Sequence, residues 1–243
     1  MNNTTLHKLK HMKFYGMHNA FKSAIETGKL DSYTIDQFTS HIVQSEWDDR
    51  HNRKIERNLK NARFKYNAQI EQLIFDDRRN LDKNQLYRLT EFEFIKKAEN
   101  ILITGSTGAG KSYLASAIGH QACIEGYRTL YFNTSKLFAK LKMAKADGSY
   151  LKELARLERH QLLILDDFGL QTMDKQNRMA LLEIIEDRHE KGAIIFTSQL
   201  PVNEWYEIIG EKTVADAIMD RLVNNAQRVE ITGESMRRKR TKK

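Results

Sequence analysis

One segment of the chain, Gly105–Ser112, limits its fold and chemistry more than any other stretch. It follows the pattern G-x-x-x-x-G-K-[ST] of a phosphate-binding P-loop. An apolar run, Ile101–Ile103, leads into it, and a helix-period stretch, Ser112–Ile124, follows it. The alternative, a glycine-rich turn with a surface lysine, gives no reason for these flanks, so the pattern predicts a loop between a buried strand and a helix. The residues of the predicted loop are Gly105, Ser106, Thr107, Gly108, Ala109, Gly110, Lys111 and Ser112.

The residue types in this loop suit a nucleoside triphosphate. Glycine lets the backbone approach an anion so that several N–H groups point at it, and the helix N-terminus adds partial positive charge. Lys111 is expected to reach the β- and γ-phosphates, and the Ser112 hydroxyl to ligate Mg²⁺. The sequence therefore predicts a site for a triphosphate together with Mg²⁺.

From Asn100 onward, short apolar runs alternate with helix-period stretches, which is the signature of an α/β fold with a parallel sheet flanked by helices. The predicted strands are Ile101–Thr104, Thr129–Phe132, Leu162–Leu165, Ala193–Thr197 and Arg228–Ile231. The predicted helices cover residues 112–124, 135–144, 150–159, 173–190 and 213–223, and Pro201 marks a turn into a short helix containing Trp205.

Two adjacent carboxylates follow the third predicted strand. The aliphatic run Leu162–Leu165 ends in Asp166 and Asp167, which is the Walker B pattern. Asp166 is expected to hold Mg²⁺, and Asp167 to act as the general base that polarises the attacking water. A polar strand end that caps the next loop is the alternative. The strand Thr129–Phe132, between the P-loop and this pair, favours the additional-strand ATPases over small-molecule kinases.

Three further residues are candidates for roles in hydrolysis. Ser198 and Gln199 belong to the segment Thr197-Ser198-Gln199 at the end of the fourth predicted strand, where a polar side chain could bridge the γ-phosphate and the catalytic water; an ordinary strand exit is the alternative. Arg221 lies near the end of a predicted helix, far along the chain from the P-loop. It is a candidate arginine finger for a neighbouring subunit, and an ion pair with Asp220 or Asp216 fits its spacing nearly as well.

Residues 1–66 are predicted to form a small all-helical domain. Apolar residues at helical spacing predict a first helix over 6–27, ended by Gly28 or by the later Asp31-Ser32 pair. The sequence Thr34–Gln37 has the form of a capping box, and a second helix is predicted to run from there to about Phe64. Residues 67–98 are predicted to be a helical connection, and 99–243 a nucleotide-binding domain with a basic tail.

The chain carries a formal net charge of +8, which favours a polyanionic partner, although general solubility is an alternative. One run of cations lies mostly at three- and four-residue spacing, so it lines one side of the second helix, with Glu56 as its single acid. A second cluster lies between the second strand and the carboxylate pair, where a solvated pair of amphipathic helices is the alternative. The candidate DNA contacts from these clusters are Arg50, Arg53, Lys54, Arg57, Lys60, Lys140 and Lys145.

Composition excludes several other classes. No apolar run approaches the ~20 residues that span a bilayer, and the N-terminus has no signal-peptide pattern. The single cysteine, Cys123, excludes an internal disulfide and a cysteine-rich zinc site. These features predict a cytoplasmic protein with no membrane partner.

Several segments resemble the IstB family, the AAA+ ATP-binding helpers encoded by bacterial insertion sequences and relatives of the DnaC-type helicase loaders. The resemblance covers nearly the whole chain, and its Asp-Asp-Phe-Gly and Asp-Arg-Leu-Val segments are more specific than the P-loop. The segments that carry it are residues 100–105, 162–170, 197–202, 215–223 and 233–237.

The resemblance implies an AAA+ core that hydrolyses ATP, binds double-stranded DNA with little sequence preference, forms ATP-dependent homo-oligomers on it, and helps a cognate transposase use a target site. It favours Arg221 as the arginine finger. Asp167 stands where most AAA+ proteins have glutamate, so slow turnover is expected. The usual C-terminal lid is expected to be absent or small, with Arg237 as a candidate substitute for its sensor arginine.

Three rival functions remain at this point. A helicase loader shares the ATPase core but needs a helicase-docking domain. A P-loop kinase predicts ATP turnover that depends on a small acceptor and ignores DNA. A nucleotide-gated scaffold predicts that Asp167→Asn leaves function intact.

Overall fold

The computed structural model describes residues 2–75, 79–233 and 235. It divides into two compact units, Met1–Arg57 and Asn58–Lys243. The candidate sensor substitute Arg237 and the basic tail 237–243 lie outside the described residues. The functional boundaries at 66 and 98 stay predictions.

Helices make up the first unit. A 3-10 turn, Leu30–Ser32, separates its second and third helices. The α-helices are α1 (Asn2–His11), α2 (Tyr15–Glu26) and α3 (Ile35–Ala62), the last of which continues into the second unit.

The prediction of one helix over 6–27 is wrong, because the chain turns between α1 and α2. Lys13 adopts a left-handed conformation with φ 62°. Phe14 N donates to Leu9 O at 2.9 Å, and Lys13 N donates to Lys10 O at 3.0 Å. This is a Schellman motif, which satisfies carbonyls at the end of α1 without a glycine.

The predicted end of α2 and start of α3 are confirmed. Gly28, with φ 65°, closes α2 by the same type of motif. At the start of α3, Gln37 N donates to Thr34 Oγ1 at 3.2 Å, and Thr34 N donates to Gln37 Oε1 at 3.0 Å. These reciprocal bonds form a capping box.

A buried carboxylate joins α2 to α3. Glu46 is 5% exposed, and its Oε2 accepts from Gly16 N at 2.8 Å and Met17 N at 3.2 Å, so a side chain of α3 caps the N-terminus of α2. The helices approach so closely here that a Cβ on Gly16 would lie 2.2 Å from Ser45 O. Burial alone raises the pKa of Glu46, but hydrogen bonds from Arg50, Met17 and Gly16 outweigh it and lower the pKa.

The second unit contains a five-stranded sheet, every pairing of which is parallel, in the order β2-β3-β4-β1-β5. This confirms the predicted α/β class. The strands are β1 (Asn100–Gly105), β2 (Thr129–Asn133), β3 (Leu162–Phe168), β4 (Ala193–Ser198) and β5 (Ala226–Ile231).

Helices cover both faces of this sheet, and each face has its own apolar core. One core contains the aromatic cluster of Phe168, Phe196 and Trp205, in which the Phe168 and Trp205 ring centroids are 4.7 Å apart. The helices that follow the strands are α6 (Lys111–Ile124), α7 (Thr134–Ala146), α8 (Tyr150–Glu158), α9 (Lys175–Arg188), α10 (Trp205–Ile209) and α11 (Lys212–Val223).

The connection before β1 is only partly helical. It contains a 3-10 turn (Ile70–Gln72), α4 (Lys83–Thr90) and α5 (Glu93–Lys96). Two of its side chains reach carbonyls of the edge strand β5: Asn80 Nδ2, before α4, donates to Glu230 O at 3.3 Å, and Gln85 Nε2, within α4, donates to Arg228 O at 2.9 Å.

Within the described part of the chain, only residues 232, 233 and 235 follow β5, and no helical lid is present there. Nor is any helix among the described residues both long enough and apolar enough to cross a bilayer.

Candidate nucleotide-binding site

The P-loop joins β1 to α6, as predicted, at the carboxyl edge of the sheet. Gly105, Gly108 and Gly110 all have positive φ values, of 146°, 81° and 101°. Side chains are also excluded by space, since a Cβ on Gly105 would lie 2.1 Å from Ile231 O. The Lys111 ammonium donates to Gly105 O at 2.7 Å and to Ser106 O at 2.9 Å, so it lies within the loop.

Segments distant in sequence line the rest of the loop. Ser106 Oγ donates to Gly233 O at 3.3 Å, and a Cβ on Gly108 would meet the Ser235 side chain. On the other side, Arg79 donates to Ala109 O and to Ile74 O. The chain before β1 and the chain after β5 therefore both contribute to the site.

Asp166 lies at the end of β3 and is completely buried. Its Oδ1 accepts from Thr197 Oγ1 at 2.5 Å, and its Oδ2 accepts from the Tyr131 hydroxyl. Burial alone raises the pKa of Asp166, but hydrogen bonds from Thr197, Tyr131 and Ser112, with the charge of Lys65, hold it below its usual range. The structure thus brings the two predicted metal ligands, Ser112 and Asp166, into contact.

Asp167 is partly exposed and lies beside Asp166 on a bulge in β3, where the register to β4 shifts. Its φ of 59° is left-handed, which is rare for a residue with a side chain. Asn133 Nδ2 donates to its Oδ2 at 3.1 Å, and its backbone N–H donates to Thr197 Oγ1 at 3.0 Å. The bulge aims the two successive carboxylates at one site.

A lysine from outside the predicted motifs completes this cluster. Lys65 Nζ lies 3.2 Å from Asp166 Oδ2 and 3.3 Å from Asp167 Oδ2. Burial alone lowers the pKa of Lys65, but the charges of Asp166 and Asp167 raise it.

The two sensor candidates have different surroundings. Gln199 Oε1 accepts from the hydroxyl of Thr107 at 2.5 Å, so Gln199 lies at the P-loop. Ser198 is fully buried, donates to Phe168 O at 2.9 Å and accepts from Leu200 N at 3.1 Å. Both hydroxyl bonds of Ser198 hold the strand exit, whereas the Gln199 side chain reaches the P-loop.

Arg221 lies at the opposite edge of the sheet from the P-loop. Asn100, the first residue of β1, donates to Arg221 O at 3.4 Å, whereas the loop begins at Gly105, roughly 17 Å further along the strand. The guanidinium pairs with Glu186 Oε1 at 3.3 Å, not with Asp216 or Asp220, and donates to Ala217 O. Arg221 is therefore not part of the nucleotide site of its own chain.

The candidate DNA contacts differ in exposure. Arg50 pairs with Glu46 at 2.6 Å, Arg53 pairs with Asp49 at 2.5 Å, and Lys140 pairs with Glu153. Lys145 is exposed with its ammonium over the Tyr150 ring. All five candidate cations on α3 are exposed: the paired Arg50 and Arg53, and also Lys54, Arg57 and Lys60.

The donor atoms fit a magnesium–triphosphate complex. Ser112 and Asp166 offer hard oxygens, which Mg²⁺ prefers, and they lie in contact with each other. Among the described residues, no group of three or more histidine, cysteine or acidic side chains would hold a metal alone.

The sheet order, with a P-loop after β1 and a carboxylate pair ending β3, defines an ATP-binding protein of the AAA+ class. The fold is similar to the crystal structures of DnaI (TM-score 0.59, 24% identity, covering 73% of this chain and 94% of DnaI) and of the DnaC helicase loader (TM-score 0.56, 22% identity, 68% and 97%). It is also similar to AMPPCP-bound DnaA from Aquifex aeolicus (TM-score 0.59, 21% identity, 70% and 51%).

Residues 7–243 match the family of IstB-like ATP binding proteins, and the chain belongs to that family. The insertion sequence ATP-binding protein y4pL of Sinorhizobium fredii is 41% identical over 239 residues, 98% of each chain. The insertion sequence IS21 ATP-binding protein of Pseudomonas aeruginosa is 30% identical over 236 residues, 97% of this chain and 87% of that protein.

Sequence reasoning missed several residues of the site: Lys65, Arg79, Tyr131, Asn133 and Ser235. Asn133 had a usable signal, because it is a polar residue at the carboxyl end of a strand beside β3. Lys65 and Arg79 lie outside any motif, and only the fold brings them to the loop.

Proposed function

We propose that this chain is an ATP-hydrolysing, largely sequence-nonspecific DNA-binding protein that oligomerises on double-stranded DNA and assists a cognate transposase in choosing and using a target site. The observation that carries the proposal is the convergence of Lys111, Ser112, Asp166 and Asp167 at one edge of the sheet in a chain of the IstB-like family. The names of its relatives, which are insertion-sequence proteins, support the transposition role.

Each side chain of the site has a proposed part in hydrolysis. Lys111 leaves the loop carbonyls to bind the β- and γ-phosphates, and Gln199 orients the terminal phosphate. Ser112 and Asp166 hold Mg²⁺, which supplies neutralisation of phosphate charge when bound. Asp167 accepts the proton of the attacking water, while Asn133 and Thr197 fix its carboxylate and backbone.

The substitution Asp167→Asn tests the hydrolytic role. It keeps the shape of the side chain but removes its basicity, so we expect ATP hydrolysis to fall at least ~100-fold. Fluorescent ATP binding and ATP-dependent assembly on DNA should persist. Lys111→Ala should instead abolish both nucleotide binding and assembly. Hydrolysis that survives Asp167→Asn would point to the nucleotide-gated scaffold.

DNA binding is proposed to depend on phosphate contacts, because Lys54, Arg57 and Lys60 are exposed on one helix and no base-reading pattern accompanies them. Affinity should fall steeply with salt and vary little with sequence. Replacing these three cations with alanine should reduce the slope of log K against log salt by up to about 0.9 per lost contact. Lys22→Ala, at an exposed lysine paired with Glu26 on α2, is the matched control and should leave the slope unchanged. Salt-insensitive or strongly sequence-selective binding would contradict this proposal.

A replicative helicase loader is the second candidate, since the fold resembles DnaC and DnaI. Sequence identity to those loaders is 22–24%, against 41% to an insertion-sequence relative, which favours the first proposal. Pull-down of purified chain against the cognate transposase and against the host helicase separates the two. Stable capture of the helicase alone would support the loader.

A further inference from the structure

Lys65 is not part of any nucleotide-binding motif, yet its ammonium touches both acids of the Walker B pair. Its Nζ is 3.2 Å from Asp166 Oδ2 and 3.3 Å from Asp167 Oδ2. The ammonium therefore occupies the space that these two carboxylates share. A positive charge is needed there, since two adjacent carboxylates, one fully buried, repel each other when no cation is present.

The backbone on either side of Lys65 is firmly anchored to the second unit. Ala62 and Ala68 are fully buried, and Asn58 donates to Gly126 O at 3.3 Å. The Phe64 ring packs edge-on against Tyr131 and so closely over α6 that a Cβ on Gly119 would lie 2.6 Å from it. The main chain thus presents Lys65 to the acids from a fixed position.

The Lys65 side chain, by contrast, has freedom to leave. It is 36% exposed, and its flexible four-carbon stem ends in a compact, strongly hydrated charge. In this position the ammonium also lies over the neighbouring Tyr66 ring, 5.7 Å from its centroid. Departure requires rotation about side-chain bonds and no movement of the anchored backbone.

We propose that Lys65 is the resident counter-ion of the Walker B pair, and that it and a divalent cation exclude each other from these carboxylates. The consequence is that metal alone does not enter the site, because it would have to displace Lys65 unaided. Metal enters with the triphosphate, whose own oxygens supply the missing ligands. Lys65 would thus make metal loading conditional on nucleotide. This inference rests on the proposed role of Asp166 as a metal ligand.

The test is the affinity of the full chain for Mn²⁺ in the absence of nucleotide, measured by electron paramagnetic resonance. Lys65→Met removes the charge and keeps the length of the side chain, so we expect nucleotide-free Mn²⁺ affinity to rise about tenfold or more. Lys65→Arg keeps the charge and should bind Mn²⁺ as weakly as the wild type. The matched control is Lys191→Met, since Lys191 is a lysine paired with Glu158, far along the chain from the site.

A second measurement guards against misfolding of Lys65→Met. Its thermal midpoint in EDTA should be lower than that of the wild type, and Mn²⁺ should restore it, while Lys191→Met shows neither effect. Unchanged Mn²⁺ affinity in a folded Lys65→Met protein would overturn the inference. So would weakened binding of a fluorescent ATP analogue with Mg²⁺, because it would mean that Lys65 stays and binds phosphate.

The wild type separates this inference from the proposed function. Failure of the wild-type chain to bind the ATP analogue with Mg²⁺ would refute the nucleotide site itself. Normal wild-type binding together with unaltered Mn²⁺ affinity in Lys65→Met would refute only the role of Lys65.

Discussion

At the scale of single residues, Asp167 stands out because it combines a positive φ, which six other non-glycine residues of the described chain also adopt, with a carboxylate beside Asp166. A left-handed backbone at a residue with a Cβ carries strain, and such strain is concentrated at functional sites. Here it accompanies the bulge that turns Asp167 towards the same site as Asp166. A glycine would adopt φ 59° without strain but would carry no carboxylate.

This strain gives a prediction about stability. Asp167→Gly and Asp167→Ala both remove the carboxylate and its bonds, so they differ mainly in backbone conformation. We expect the glycine variant to be more stable than the alanine variant by ~1 kcal/mol, because only alanine keeps the left-handed strain. Urea unfolding followed by circular dichroism measures the difference.

The control is the same pair of substitutions at Asp48, an exposed residue in the interior of α3. In a helix the order reverses, since alanine is favoured over glycine by ~1 kcal/mol. If alanine were also the more stable residue at 167, the conformation described for Asp167 would be wrong.

Residue-level reasoning from sequence found the parts of the site that lie in contiguous motifs. Gly105–Ser112 and the Asp166-Asp167 pair are each specified by neighbours in the chain. Lys65 and Arg79 could not be found this way, because their roles depend on contacts 101 and 30 residues away. The positive φ of Asp167 was also not predictable, since it follows from a register shift between two strands.

At the scale of elements, the link between α2 and α3 depends on one buried carboxylate. Phe14, the N-cap residue of α2, makes no side-chain capping bond, and Glu46 of α3 supplies the acceptor instead. Arg50 then covers the carboxylate from the same helix and lies over the Phe14 ring at 5.1 Å. The N-terminus of α2 is thus capped by a side chain from another helix and not by a residue next to it in the chain.

This cap predicts a pH dependence of stability in the first unit. The folded pKa of Glu46 is lowered, so its contribution is present above the ordinary glutamate pKa and is lost as pH falls through the folded value. Glu46→Gln should cost about 2 kcal/mol at pH 7, and the gap to wild type should shrink on acidification.

Urea unfolding at pH 7 and pH 4 measures that gap. Glu26→Gln is the control, because Glu26 is an exposed partner of Lys22 at 3.7 Å and should have little effect at either pH. A gap that stays constant with pH would mean that the ionised form of Glu46 is not what caps α2.

Sequence patterns located most elements but not this arrangement of α1 and α2. Apolar spacing continues from Leu6 to Ile25 without a break, yet the chain turns at Lys13. The turn contains no glycine or proline, so no local sequence signal predicts it. The capping box at Thr34 and the stop at Gly28 were predictable because each depends on residues within a few positions.

At the scale of the whole molecule, Arg221 and the P-loop lie at opposite edges of one sheet. An arginine at the amino edge cannot complete the site at the carboxyl edge of the same chain. Its proposed role as a finger therefore requires a neighbouring copy. The Arg221→Ala variant by itself should bind ATP normally, but its rate of ATP hydrolysis should fall by about 1000-fold.

Mixing two inactive variants tests this role. Arg221→Ala subunits keep the carboxylates, and Asp167→Asn subunits keep the finger. In an equal mixture, about a quarter of neighbouring pairs should combine the intact parts and regain hydrolysis. Steady-state phosphate release measures the recovery, and a finger acting within its own chain would give none. Glu186→Ala, which removes the ion pair of Arg221, should remain active as the control.

Because Arg221 and the nucleotide site lie at opposite edges of the sheet, any such assembly also has a direction. Contacts of this kind join unlike surfaces, so they are head-to-tail rather than self-complementary. If the row of subunits does not close into a ring, its two ends differ. The nucleotide site of one terminal subunit receives no arginine from a neighbour, and the Arg221 of the other terminal subunit has no neighbouring site to enter. Hydrolysis would then be slowest in one terminal subunit, and a partner protein could tell the two ends of the row apart.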